Sequence, residues 1–255
     1  MRIVHIHAHP DDAEMFTCGT LALLAGMGHE VTIVSMTPGD CGSKQYPAEE
    51  IARMRRAEAA KAAELIGAKY ICAEFRDLAV FVDDASRRKV TAILRKTRPD
   101  IVLTASPIDY HCDHEATSTL VVDACFAAPA PNYDTSAFGD EPATEAIPHL
   151  YFVDPAEGTD RECRPQIPQF LVDVSSTMDK KRAMLACHDS QRQWLKDHHG
   201  MDNFIETMDE WTAQRGKLAG LAFAEGFRQY KMHPYPTSGL LQELLGAALV
   251  KHLDR

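Results

Sequence analysis

The chain has 255 residues, 45% hydrophobic and 25% charged, an ordinary globular composition with room for one large α/β domain. Its formal net charge is −10, and no basic cluster is present to neutralise phosphates. That balance excludes a nucleic-acid backbone as natural partner and suits a small polar, uncharged or cationic substrate. No apolar run approaches the roughly 20 residues a membrane span needs.

Strand-like and helix-like patterns alternate through the first half. Residues 3–7 read as a strand and 13–27 as a helix closed by Gly26 and Gly28. Residues 31–36 form a β-branched run, a buried strand by pattern, followed by a turn-rich loop. Residues 49–66 read as an Ala- and Glu-rich helix, 70–73 as a short strand and 84–96 as a helix. A strand over 101–105 and a helix over 114–127 follow.

That order predicts a Rossmann-like α/β sandwich of three layers, a mostly parallel sheet with helices on both faces. Ligands in such sheets bind beyond the carboxyl ends of the strands, at a topological switch point. The loop over 129–148, interrupted by Pro129, Pro131, Pro142 and Pro148, has the length of a lid or binding segment. Further on, strands are expected over 149–153 and 169–174, helices over 177–187 and 208–227, and an amphipathic C-terminal helix over 240–253 placed for self-association. No linker composition marks a boundary, so the whole chain is read as one domain with its core in about residues 1–230.

Seven cysteines, at 18, 41, 72, 112, 125, 163 and 187, include no C-x-x-C pair. The first strand pattern starts directly after Met1-Arg2 rather than after a leader. Both features predict a reduced, cytoplasmic protein without membrane attachment.

Two stretches concentrate the chemistry. His9-Pro10-Asp11-Asp12 follows the first strand, and His111-Cys112-Asp113-His114 follows the strand over 101–105. Paired carboxylates beside an imidazole at the mouth of a buried strand are costly unless a cation or a reaction uses them. His9 and Asp12, three apart at a strand-to-helix turn, can face one point, and His114 completes a set of one carboxylate and two imidazoles. Such a set suits Zn2+ and leaves a fourth position open to water. Asp11 is then placed to act as general base, and His111 to protonate a leaving group or stabilise an oxyanion, with Asp113 orienting it. A three-imidazole set of His9, His111 and His114, or a site that uses His7, satisfies the spacing equally. Standing alone, His-Pro-Asp-Asp also reads as a helix N-terminus with its dipole satisfied. His5 and His7 alternate with apolar residues and read first as packed strand histidines. Cys41, His188, Trp194, His198, His199 and Trp211 read first as packing or surface residues near the cleft.

These residues carry a resemblance. Residues 8–14 (Ala-His-Pro-Asp-Asp-Ala-Glu) and 109–114 (Asp-Tyr-His-Cys-Asp-His) resemble the LmbE/PIG-L family of zinc-dependent N-acetylglucosaminyl deacetylases. Thr37-x-Gly39-x-x-Gly42, Arg55-x-x-Glu58, Asp77-Leu78, His188-Asp189-Ser190-Gln191 and Ala224-Glu225-Gly226-Phe227 are similar to later landmarks of that family. The resemblance implies His9, Asp12 and His114 as metal ligands, Asp11 as base and His111 as acid or oxyanion group. It further implies that Arg55 and Asp77 hold sugar hydroxyls. It departs from the family pattern at Cys112, where proline is usual, and at Leu78, where glycine is usual.

The activity implied is removal of acetyl from an N-acetylglucosamine-type sugar or conjugate by zinc-activated water, Fe2+ being an alternative metal, in a protein that self-associates. Rival readings are a zinc hydrolase of a non-sugar amide or ester, and a metal-containing sugar-binding protein without turnover. A dinucleotide enzyme is disfavoured because no G-x-G-x-x-G follows the first strand.

Overall fold

In the computed structural model, which describes residues 1–253, β1 (Arg2–His7) lies inside a single eight-stranded sheet. The other strands are β2 (Glu30–Ser35), β3 (Lys69–Cys72), β4 (Ile101–Thr104), β5 (His149–Val153), β6 (Phe170–Asp173), β7 (Ala224–Tyr230) and β8 (Val250–His252). Their order across the sheet is β3-β2-β1-β4-β5-β7-β6-β8. The first five strands in that order run parallel, and β7, β6 and β8 continue the sheet through antiparallel pairings.

The helices are α1 (Asp12–Phe16), α2 (Cys18–Gly26), α3 (Ala48–Glu64), α4 (Asp84–Thr97), α5 (Cys112–Ala127), α6 (Met178–Leu185), α7 (Asp189–His199), α8 (Phe204–Lys217) and α9 (Leu240–Leu245). Two apolar clusters form, one on each side of the sheet, following the period of two along each strand. Ile3, Val31, Ile33, Ile101 and Leu103 join one cluster with residues of α2, α6 and α8. Val4, Ile6, Val34 and Val102 join the other with residues of α4 and α5. Near-continuous apolar strands are what a sheet covered on both faces requires.

From β1 the chain moves outward through β2 to β3, then returns to place β4 on the other flank of β1. The switch point therefore lies between β1 and β4, and the segments leaving their carboxyl ends are the two His/Asp stretches.

Several expected elements differ. The helix over 13–27 is two helices, broken at Thr17, whose φ of −142° is not helical. The helix over 208–227 ends at Lys217, and its second part is β7, between β5 and β6. Gly220 at φ +68° turns the chain there, and sheet pairing overrides the helical propensity of an Ala-rich segment. The C-terminal helix over 240–253 is helical only in α9; Gly246 at φ +77° stops it and β8 pairs with β6. α7 has no counterpart among the expected elements. The loop over 129–148 is fastened to α4 rather than poised as a lid. Buried Arg95 donates to the carbonyls of Ala128 and Ala130 and to Thr135, and Arg88 lies over the ring of Tyr133. No helix among the described residues is long and apolar enough to cross a membrane.

Candidate metal centre

The two stretches meet. His9 Nδ1 and His114 Nε2 are 3.3 Å apart, although 105 residues separate them in the chain. The Asp12 carboxylate flanks both, with Oδ2 3.5 Å from His9 Nδ1 and Oδ1 3.5 Å from His114 Nε2. Donors about 2.0–2.1 Å from a tetrahedrally held zinc ion lie roughly 3.3–3.4 Å from one another. The two imidazole nitrogens thus have the spacing a small divalent cation needs, and Asp12 approaches each of them through a different carboxylate oxygen.

The ring nitrogens that face away from this point each meet a carboxylate. His9 Nε2 is 3.0 Å from Asp77 Oδ1 and 3.4 Å from Asp113 Oδ2. His114 Nδ1 is 3.1 Å from Asp109 Oδ1, a fully buried group that also accepts from the backbone N–H groups of His111 and Ala156. A carboxylate there holds the proton on that nitrogen and leaves the opposite one free to bind a metal. Asp12 is supported likewise: its Oδ2 accepts from His9 N at 2.7 Å and lies 2.6 Å from His7 Nδ1. Burial raises the Asp12 carboxyl, but the nearby His7 and His114 rings outweigh it and hold the group well below the usual range. Burial alone lowers His9, whereas its carboxylate partners Asp113, Asp12 and Asp77 carry it well above the ordinary histidine value.

Other groupings of donors overlap here, among them His9 with His111 and His114, and His7 with Asp12 and His114. His111 is set apart by its own hydrogen bond. As N-cap of α5, its Nδ1 accepts from the N–H of Asp113 at 3.2 Å. An imidazole that accepts through Nδ1 is neutral with its proton on Nε2. Ligation through Nε2 would instead require a proton on Nδ1, against that N–H. Burial and the neighbouring His9 and His114 rings keep His111 below its ordinary value, in the same sense. The ring stands edge-on to His9 at 4.7 Å between centroids, so it offers an N–H donor at the rim of the centre. His7 serves as a partner of Asp12 in this geometry, and its Nε2 is buried without a hydrogen bond.

Asp11 caps α1 with φ +103°, a conformation that costs a non-glycine residue on the order of 1–3 kcal/mol. Strain of this kind persists where surrounding structure enforces it, and here Arg55 does so. Its Nη2 donates to Pro10 O at 2.9 Å and lies 3.6 Å from Asp11 Oδ1. Burial pushes the Asp11 carboxyl up to about 6 and Asp12 adds to the rise, against the opposing pull of Arg55. The result is a carboxylate whose proton affinity lies close to neutrality.

Residues 4–125 match the PIG-L family, described as GlcNAc-PI de-N-acetylase. Over those residues the chain carries the PIG-L/LmbE family domain. It is 27% identical over 236 residues to diacetylchitobiose deacetylase of Thermococcus kodakarensis, covering 89% of this chain and 82% of that one. The structure of N,N'-diacetylchitobiose deacetylase from Pyrococcus horikoshii superposes with a TM-score of 0.75 at 26% identity, covering 93% of this chain and 88% of that one. A 4-oxalmesaconate hydratase of Pseudomonas putida is also similar, 26% identical over 192 residues, 71% of this chain and 70% of that one.

The remaining PIG-L/LmbE landmarks acquire physical roles. A Cβ on Gly39 would sit 2.5 Å from Arg55 Cζ, and one on Gly42 would sit 2.8 Å from Arg55 Nη1. The Thr-x-Gly-x-x-Gly loop is therefore a cradle for a buried guanidinium. Glu58 accepts from Ser190 N at 3.0 Å and so fastens the start of α7 to α3. His188 is buried with Nε2 3.4 Å from Glu14 Oε1, and Glu14 and Asp11 raise its pKa against burial. Glu225 accepts from the N–H groups of Gly19 and Thr20 at the start of α2 and from Lys181 at 2.6 Å. A Cβ on Gly226 would lie 2.0 Å from Asp154 Oδ2.

Three expected contacts are rearranged. The Asp113 carboxylate does not orient His111; it accepts from Leu78 N at 2.7 Å and Val80 N at 3.3 Å and faces His9. Asp77 faces His9 as well, and that contact, opposing the effect of burial, draws its carboxyl down to about 2. Arg55 is only 3% exposed and turns toward backbone carbonyls and Asp11 rather than outward. The family's Asp-Gly glycine position proves to need a left-handed residue: Leu78 occupies it at φ +60°. Cys112 is exposed, and Cys41 N donates to Asp77. His5 is wholly buried, with both ring nitrogens unpartnered, and burial pulls it down to about 3, so it is a neutral packing residue. Trp211 stacks on Phe16, which stacks on His7, whereas Trp194, His198 and His199 cluster along α7. Asp109, buried between two strand ends, is the supporting residue that motif spacing did not single out.

Proposed function

We propose that the protein is a metal-dependent N-deacetylase that hydrolyses the acetamido group of an N-acetylglucosamine-type sugar, with His9, Asp12 and His114 as ligands of a zinc or ferrous ion. The observation that carries this reading is the 3.3 Å approach of His9 Nδ1 and His114 Nε2, with one Asp12 oxygen 3.5 Å from each and a carboxylate within 3.1 Å of the far side of each ring. The cation, when bound, supplies Lewis-acid polarisation of the acyl carbonyl and acidification of water.

The remaining chemistry belongs to the chain. Asp11, held unprotonated at neutral pH beside Arg55, takes the proton of the attacking water. His111 presents its Nε2–H to the oxyanion that develops on the acyl oxygen. The proton accepted by Asp11 then passes to the departing amine as the C–N bond breaks, giving acetate and a free amino sugar. Among site residues, Asp11, Asp12, Asp77, Asp109 and Asp113 are carboxylates, and the adjoining guanidinium of Arg55 is engaged by backbone carbonyls and Asp11. That acidic surround supports a neutral amide whose product is an amine. It weighs against a polycarboxylate substrate such as the hydratase relative's name describes.

The test is metal analysis together with acetate release from a panel of N-acetylated sugars. Asp11→Asn should retain the metal and lose at least about a hundredfold in kcat. His114→Ala should lose the metal itself. Near-full activity in the first variant, or unchanged metal content in the second, overturns the respective assignment.

A further inference from the structure

His5 stands where a sheet covered on both faces calls for an apolar side chain. It lies between Val4 and Ile6 in β1, is fully buried, and pairs with Ile33 of β2. Neither of its ring nitrogens is hydrogen-bonded among the described residues, and the same holds for Nε2 of His7. A leucine would pack there without burying polar atoms that lack partners. Packing alone therefore leaves the imidazole unexplained.

His5 and His7 share one face of β1, and both line a cavity of about 10 Å³, close to the room one water molecule needs. Glu14, Ser35 and Tyr70 line it too, with the Ser35 hydroxyl 2.6 Å from Tyr70 Oη. A cavity of that size ringed by polar groups takes up water, whereas an apolar one stays dry. Stacked at 18° with centroids 5.8 Å apart, the two imidazoles do not bond each other. Their hydrogen-bonding needs are nevertheless complementary. Burial keeps both rings neutral, so each has one N–H and one lone pair. Asp12, held as a carboxylate, only accepts, so its 2.6 Å contact draws the His7 proton to Nδ1, against the neutral N–H of Ala8 at 2.9 Å. His7 Nε2 is then an acceptor, and the His5 ring retains a donor.

We infer that the cavity is a binding site for one ordered water, which accepts from the His5 ring and donates to His7 Nε2, and that His5 is thereby a positioning residue for Asp12. The water fixes the tautomer of His7. His7 Nδ1–H then holds Asp12 Oδ2, and the Asp12 carboxylate stands 3.5 Å from His9 Nδ1 and from His114 Nε2. A side chain that touches neither metal nor substrate thus acts on the centre through two intermediates. The water site follows from the cavity and its lining, whereas its effect on the centre rests on the reading of Asp12 as a metal ligand.

Two measurements test this. A high-resolution crystal structure of the full chain should show one water within hydrogen-bonding distance of the His5 ring and of His7 Nε2; a cavity without that density overturns the inference. Zinc affinity, measured by competition with a chelator, should fall about tenfold in His5→Leu, which keeps an apolar side chain there and removes the donor. His5→Gln, whose amide N–H replaces that donor, should stay within about threefold of wild type. Unchanged affinity in His5→Leu overturns the positioning role. Equal weakening in His5→Leu and His5→Gln also overturns it, by assigning His5 to packing alone. A wild-type protein that holds the water but binds no zinc counts against the metal-centre reading and leaves the water site standing.

Discussion

At the scale of single residues, the centre is organised by which ring nitrogen holds a proton. Asp109 sits 3.1 Å from His114 Nδ1, and its replacement by asparagine removes the charge that favours a proton there. Asp109→Asn should therefore weaken metal binding about 10–100-fold while leaving the fold intact, measured by competition with a chelator. An unchanged metal affinity would remove Asp109 from the support of the centre. Asp11 makes a prediction in pH. Its carboxyl is raised by burial to about 6, and a general base works only when unprotonated. Activity should therefore be present above that value and fall as pH drops through it. A cation beside Asp12 favours the carboxylate form and places the limb of the kcat/KM profile at or below about 6. The residual rate of Asp11→Asn should lack this limb; if the limb persists there, it belongs to another group.

At the scale of elements, the helix starts show what could be read beforehand and what could not. The strand-then-His/Asp grammar of residues 3–12 and 101–114 placed both halves of the centre on one sheet edge, because local pattern and chain order suffice for that. The direction of a carboxylate is not local: whether Asp113 turns to His111 or His9 depends on the loop over 73–83, which comes from another strand. The second half of the helix expected over 208–227 departs for a similar reason, since an Ala-rich segment takes strand geometry only once β5 and β6 are there to pair with it. Glu225 is a direct test of such long-range support. It joins the start of α2 to Lys181, which is 0% exposed, so Glu225→Ala leaves a buried ammonium uncompensated. Breaking such a pair costs about 3–5 kcal/mol. For a chain of this size that corresponds to a fall of roughly 10 °C in melting temperature. Lys181→Met combined with Glu225→Leu should recover much of the loss; equal melting of the wild type and both variants would show that the pair is inert.

At the scale of the whole molecule, five acidic side chains converge around the imidazoles of His9 and His114 at one sheet edge, and the proposed cation would offset their mutual repulsion. Removing the metal with a chelator should lower the melting temperature, and restoring it at a hundredfold excess over its dissociation constant should return about 2.7 kcal/mol. A melting temperature indifferent to metal would place the ion outside the centre described above. The excursion from β1 through β2 and β3 and back to β4 has a further consequence. His9 and His114 are 105 positions apart and enclose the chain between them. A shared ion therefore acts on the unfolding chain as a reversible cross-link. Unlike a disulfide, an ion released on unfolding leaves the unfolded ensemble unrestricted, so its stabilisation is that of binding to the folded centre alone. The seven cysteines are free, so the tether between the segments that leave β1 and β4 would be supplied by the metal centre.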